Sequence, residues 1–178
     1  VKHIYSFDKK SILGLLDKYE IDYNNWSEGK SIDSLFDEIE NGECKIIEDD
    51  NSLFRILSFV GVNIKYKNLT LIEDQQIFKS GKIRRRNMVS SVSEKMISGE
   101  NPKSAACRGV KEELNIDVDP TNIRFIKNLE YEKDSLSYSG IITKYYGHIF
   151  EYTISDSQYI PEGYVENQKD KSTYFVWK

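Results

Sequence analysis

Apolar residues recur at helical spacing near the start of the chain and at strand spacing through most of the rest. Across residues 10–19, Ile12, Leu13, Leu15 and Leu16 form one apolar stripe, which predicts a helix. A second helix is predicted over residues 31–42, where Ser31 can cap the start and Gly42 marks the stop. Its Ile32, Leu35, Phe36 and Ile39 share one face. Residues 22–29 between the two helices read as a loop anchored by Trp26. After Gly42 the period shortens. Residues 44–49, 53–67, Leu69–Phe78 and 82–86 are rich in β-branched and aromatic side chains and partly alternate, which predicts strands. Asn68 and Ser80-Gly81 supply turns between them. Residues 87–99 read as a polar loop, and a helix is predicted over Pro102–Leu114. Asn101 is placed to cap that helix, Pro102 suits its first position, and Asn115 can end it in a left-handed conformation. Strands over residues 123–131, 142–154 and 173–177 complete the pattern. This order predicts an α/β sandwich with a mixed sheet over residues 43–178, preceded by a helical extension over residues 1–42.

Composition narrows the class. A chain of 178 residues fits one domain, and 39% hydrophobic with 30% charged residues describes a folded protein that buries a core. Twelve Tyr and eight Phe, many in alternating stretches, favour sheet over a helical bundle. No run approaches the roughly 18 apolar residues that suggest a membrane span, and residues 1–10 lack the apolar core of a signal peptide. Cys44 and Cys107 lie far apart and in no Cys/His cluster, so a structural zinc site is not expected. So few cysteines suit a reducing compartment, and a cytoplasmic location is the expectation. The net charge of −4 gives the whole chain no basic surface for nucleic acid, although a local patch remains open.

The chemistry concentrates between Ser91 and Asp117. On the predicted helix Glu112 and Glu113 stand about 100° apart, with Gly109 one turn before them. Neighbouring carboxylates repel unless a cation or base lies between them. Hard oxygen ligands of this kind suit Mg²⁺ or Mn²⁺, which combine carboxylates with substrate phosphates. Arg108, four residues before Glu112, can pair with it. A Lys-Glu-Glu run by itself more often marks a solvated helix face. The wider spacing changes that judgment.

From Glu94 to Ile116 the chain resembles the Nudix box, G-x5-E-x7-R-E-U-x-E-E-x-G-U, in which U is a bulky aliphatic residue. Glu100, Arg108, Val110, Glu112, Glu113 and Ile116 match six of its nine defined positions in one ungapped frame. Glu94 replaces the first Gly, Gly109 the Glu after Arg, and Asn115 the last Gly. Asn115 is a mild departure, because Asn tolerates the backbone conformation that Gly supplies. Gly109 removes a carboxylate that usually helps to bind metal in the family. Glu94 could restore it from the opposing loop; its alternative is an exposed loop position beside Lys95. Residues 22–42, 81–87 and 91–96 also resemble a Nudix subgroup with a short helical N-terminus, which would extend the likeness over nearly the whole chain.

The resemblance implies a Nudix-like α/β/α sandwich and a Mg²⁺- or Mn²⁺-dependent hydrolase of a nucleoside diphosphate linked to another group. Metal would be held by Glu112 and Glu113, joined by Glu94 or Glu100, with Arg108 and Glu100 completing the catalytic set. The partner implied is a small nucleotide diphosphate, with no membrane; ADP-ribose, dinucleoside polyphosphates, sugar nucleotides, inositol pyrophosphates and a capped RNA end all remain open, as does the oligomeric state. The alternative is a nucleotide-sensing or protein-interaction module whose catalysis was lost with the box Glu at Gly109.

Other residues fill out the candidate set. Arg84, Arg85 and Arg86 are half of the six arginines, and strand alternation sends Arg84 and Arg86 to one face and Arg85 to the other. Such a run reads either as a charged edge strand or as a phosphate site suited to the planar guanidinium fork. Arg84 and Arg86, followed by Lys95 and then Lys103, are the substrate-binding candidates. Glu130 and Glu132, ahead of Glu151, are candidates for a later base or metal ligand. Tyr131, Tyr138, Tyr145 and Tyr146 can stack a nucleobase, though core packing suits any single one better. His3 and His148 have no evident partner, and no Ser–His–Asp set, Walker loop or dinucleotide fingerprint is present.

Overall fold

The computed structural model describes residues 3–4, 8–26 and 30–178, with the backbone alone for the first two. Residues 27–29 of the predicted first loop and the side chain of His3 lie outside the described residues. The described elements are β1 (His3–Ile4), α1 (Lys9–Lys18), a short 3-10 turn (Tyr23–Asn25), α2 (Ile32–Glu40), β2 (Lys45–Asp49), β3 (Ser52–Tyr66), β4 (Leu69–Phe78) and β5 (Ile83–Arg84). They continue as β6 (Val92–Lys95), α3 (Pro102–Leu114), β7 (Ile123–Asp134), β8 (Ile142–Thr153), β9 (Tyr164–Asn167) and β10 (Lys171–Trp177). This is an α/β fold with a mixed sheet and three helices, as the hydrophobic pattern predicts. The chain divides into two compact units. The first takes residues up to Phe59 with Lys95–Gly99 and Leu129–Gly147; the second takes Val60–Glu94, Glu100–Asn128 and His148–Lys178.

In the first unit, helices and strands share one apolar core. Asp8 caps α1 by accepting from the Ser11 amide at 3.3 Å and hydroxyl at 2.6 Å. Ser31 and Ser34 form a reciprocal capping box on α2. The stripes so fixed bury Ile12, Leu15 and Leu16 from α1, and Leu35 and Phe36 from α2, against Cys44, Ile46, Leu53, Tyr138 and Ile141. Each such side chain contributes roughly 1.5–3 kcal/mol. Trp26 is buried as anchor: its indole N–H donates to the Ser139 carbonyl at 2.9 Å, and its ring meets Tyr138 edge-on at 4.9 Å. A buried ion pair, Glu38 with Arg55, lies beside this core. The Glu38 carboxylate accepts from Lys30 Nζ at 2.7 Å, Arg55 Nη2 at 2.5 Å and the Tyr138 hydroxyl at 3.0 Å, with Lys95 Nζ at 3.2 Å. Burial works against its charge, yet the hydrogen bond from Lys30 and the charges of Arg55 and Lys95 outweigh that and hold it down at about 2. Strand β2 runs antiparallel to β1 and β3, with Lys45 opposite Ile56 and Asp49 opposite Ser52.

The second unit carries α3 and the antiparallel succession β3, β4, β10, β9. The β3–β4 hairpin turns at Lys67, whose φ is +51°, with Lys65 opposite Thr70. Strand β4 pairs with β10 and with β5, and β10 pairs with β9. A register shift between Tyr174 and Phe175 leaves Glu73 and Gln76, three residues apart, both buried. Residues 87–99 are not the expected polar loop. Ser90 and Ser91 are buried, and β6 follows them directly. The Ser91 hydroxyl accepts from the Ile64 amide at 2.9 Å and donates to the Leu71 carbonyl at 2.5 Å, so a polar side chain takes a core position because both its bonds are met. Ser90 Oγ lies against Gly61, where a Cβ would stand 2.6 Å from it.

Candidate functional site

Helix α3 is fixed at both ends by local chemistry. The Asn101 side chain accepts from the Lys103 and Ser104 amides at 2.9 and 3.3 Å, Pro102 opens the first turn, and Asn115 closes the helix at φ 56° and ψ 30°. The buried face is Ala105, Ala106, Gly109, Val110 and Leu114. Glu112 and Glu113 therefore leave the helix in different directions. Glu112 is turned to water, with its side chain 54% exposed and one oxygen 3.4 Å from Arg108 Nη1. Glu113 is turned inward.

Arg108 organises the outer carboxylates. It grips Glu100 through two parallel bonds, Nε to Oε1 at 3.0 Å and Nη2 to Oε2 at 3.1 Å. Its Nη1 also lies 3.5 Å from Glu94 Oε1. The principal partner of Arg108 is thus Glu100, with the expected Glu112 contact added to it. The box positions Glu94, Glu100, Arg108 and Glu112 come together as one ion-pair network.

Gly109 and Glu94 occupy one space. A Cβ at Gly109 would stand 2.9 Å from the Glu94 Cβ and 3.6 Å from Val92 Cγ1. The room that a side chain at position 109 would fill is taken by Glu94, reaching in from β6. Sequence spacing alone cannot show this, because the two positions are fifteen residues apart.

The inward Glu113 meets further carboxylates. Burial raises its pKa first, and the charges of Glu166, Glu94 and Glu73 add to that effect while Arg86 opposes it, leaving Glu113 at about 9. Glu166, on β9, and Glu73, on β4, are carboxylates that the sequence reading missed. The four-residue strand of Glu166 carries too short a pattern to be seen, and no motif marks either residue. Of the residues considered instead, Glu132 pairs with Lys144 at 3.3 Å and Glu151 with Arg124 at 2.7 Å. Glu130 is exposed in the first unit.

The three arginines alternate as expected. Arg84 Nε and Nη2 donate to the Gln76 carbonyl oxygen at 3.0 and 2.8 Å, and Arg86 makes a two-bond pair with Glu73, its Nε bond being 2.8 Å. Arg85 turns the other way, to Gln75 at 3.2 Å. Lys95 belongs to the first unit, where it holds Glu38 and Glu43, each at 3.2 Å. Tyr138 is in the core, while Tyr131 and Tyr145 stack on each other at 4.7 Å. His148 has a partner after all, Asn128 at 2.9 Å.

Glu113, Glu94 and Glu166 are hard oxygen donors, and the space freed by Gly109 is filled by one of them. In donor type the set fits Mg²⁺ or Mn²⁺. Among the described residues, no three acidic, imidazole or thiol side chains stand grouped to hold an ion in the arrangement seen.

No family model matches the chain, and no curated protein matches it. Solved structures do. The DR0079 protein of Deinococcus radiodurans is 18% identical over 68% of this chain and 65% of its own, with a TM-score of 0.44. This chain thus spans just under two thirds of DR0079. A MutT Nudix hydrolase from Burkholderia pseudomallei is 13% identical, over 68% of this chain and 81% of its own, at a TM-score of 0.46. The mutator MutT protein of Bacillus halodurans is 16% identical, over 68% and 67%, at 0.47. The solved structures to which this chain is similar therefore include a Nudix hydrolase, at 13% identity.

Proposed function

We propose that this chain is a metal-dependent hydrolase that cleaves the diphosphate bond of a nucleoside diphosphate linked to another group. The observation that carries the reading is Glu113: a half-buried carboxylate on α3 on which the charges of Glu166, Glu94 and Glu73 act together, with Arg86 opposing them. Proteins avoid drawing acids together in a half-buried place unless a cation joins them. Glu113, with Glu94 from β6, would hold the Mg²⁺ or Mn²⁺, and Glu112 would join them by turning from water and Arg108 toward the ion. Such an ion polarises a phosphoryl oxygen and makes water a better nucleophile when bound. Arg108 fixes the carboxylates of Glu100 and Glu94 from one side. Arg84 and Arg86, anchored on Gln76 and Glu73, supply positive charge for phosphate. Glu166 would take the part of a base near Glu113. Lys95, committed to Glu38 and Glu43 in the first unit, is assigned no role in this scheme. A reducing, cytoplasmic setting is part of the proposal, supported by two free cysteines.

The second reading, a nucleotide-sensing module without turnover, is favoured by one observation: Glu112 faces water and Arg108. A panel of nucleoside diphosphate derivatives incubated with Mg²⁺ and Mn²⁺ separates the two. Turnover of one substrate that is lost in both Glu112→Gln and Glu113→Gln supports the hydrolase. A nucleotide that raises the melting temperature while no substrate turns over supports the module.

A further inference from the structure

A second polar feature of the same unit is basic. Lys171 opens β10 directly opposite Phe78 at the end of β4, and Arg84 on β5 lies opposite Gln76. The Lys171 ammonium stands 5.9 Å from the Phe78 ring centre and the Arg84 guanidinium 5.5 Å from it, so both cations border one ring. Neither forms an ion pair with a carboxylate among the described residues. Arg84 is oriented by a neutral group instead. The Gln76 side chain is 2% exposed, spends its oxygen on Arg84, and sends its nitrogen to the Thr173 hydroxyl at 3.4 Å. Burial and the charges of Arg84 and Arg86 push the Lys171 ammonium below its ordinary range, with Asp170 and Glu166 acting the other way. Two half-buried like charges, one of them oriented by a buried amide, repel at a cost that a bound anion would remove.

We infer that Arg84 and Lys171, bordering Phe78, form a seat for a phosphate group of the substrate lying beyond the diphosphate that is cleaved. The inference rests on the hydrolase reading for the identity of that substrate. It favours substrates that carry a further phosphate besides the diphosphate, since an uncharged sugar attached to a diphosphate would place no charge in the seat. Arg84 and Arg86 take their partners three residues apart on β4, at Gln76 and Glu73, so the seat adjoins the region of Glu73.

The test uses inorganic tripolyphosphate as probe, titrated calorimetrically into metal-free protein. Wild type is expected to bind it, with affinity falling about tenfold to a hundredfold in Lys171→Met and in Arg84→Met, the worth of a charge-assisted hydrogen bond. Lys171→Arg is expected to restore binding, which separates the lost charge from a damaged fold. Glu113→Gln should keep tripolyphosphate binding and lose Mn²⁺ binding. If no substrate turns over but the lysine series behaves as stated, the seat stands and the hydrolase reading falls. If Lys171→Met melts cooperatively and binds tripolyphosphate as wild type does, the seat is wrong, whatever the outcome for hydrolysis. Equal losses of kcat/KM toward a nucleoside triphosphate and a nucleotide sugar in that variant would also overturn it.

Discussion

At Gly109 a single hydrogen atom in place of a side chain decides where a carboxylate can enter. Because a Cβ there would lie 2.9 Å from the Glu94 Cβ, Gly109→Ala must displace Glu94. The expected result is a loss of about 1–3 kcal/mol in stability and weaker Mn²⁺ binding, read by calorimetry. Exchanging the two residues, Glu94→Gly with Gly109→Glu, should recover both, since one side chain then fills the one space. Restored binding in the exchange variant alone would show that the two positions act as a unit; no recovery would show that they do not. Glu113 gives a pH dependence of opposite sense to the usual carboxylate. Its folded pKa of about 9 lies above the ordinary value of 4.5. In the metal-free protein its contribution to stability is therefore complete below pH 4.5 and declines as the pH rises toward 9. Glu113→Gln should remove that decline, leaving the variant more stable than wild type at pH 8. Thermal melts across pH 4 to about 9 check this, and a wild-type curve that is flat over that range would contradict it.

Among the elements, those governed by neighbours in sequence were legible and those governed by distant partners were not. Helix α3 has the predicted bounds because Asn101-Pro102 and Asn115 act within a turn of its ends. Asn101→Ala should cost about 1 kcal/mol, measured by denaturant unfolding. Strand β4 also has its predicted bounds, since ten residues are enough to show the pattern. Strand β9 shows no such pattern: its place is set by Gly163, where φ is +89° and a Cβ would stand 1.9 Å from the Phe175 carbonyl oxygen. Gly163→Ala combines backbone strain with a clash against backbone that cannot yield, so a loss of roughly 2–4 kcal/mol is expected. Because Glu166 rides on this strand, the variant should also shift the pH profile of any activity. Ser90 and Ser91 misled for another reason. Their polarity suggests a loop, and their burial is paid for only by bonds to β3, β4 and Val92 that no local pattern reveals.

For the whole molecule, the predicted pattern of helices and strands describes the elements well, while the grouping of the chain into two units depends on contacts far apart in sequence. The N-terminal helices share a core with Cys44, Leu53, Tyr138 and Ile141. Glu38 is the charged point on which Lys30, Arg55, Lys95 and Tyr138 converge. Its folded pKa of about 2 lies below the ordinary 4.5, so its contribution is complete above pH 4.5 and is lost as the pH falls toward 2. Glu38→Gln should flatten the acid limb of the stability curve and cost about 3–5 kcal/mol at neutral pH, because Arg55 would be left buried without its carboxylate. An acid limb identical to wild type would rule this out.

The convergence on Glu38 also bears on how the chain is made. Residues 30 and 138 must both be in place before that carboxylate is satisfied, and two of the second unit's three segments are synthesised between them. A ribosome that has just released α1 and α2 has delivered an apolar surface whose partners Tyr138 and Ile141 do not yet exist. High contact order of this kind slows folding. The two helices can meet Cys44, Ile46 and Leu53 early, but their face toward Tyr138 and Ile141 stays uncovered until those residues have emerged, and it is there that a chaperone or a protease would act.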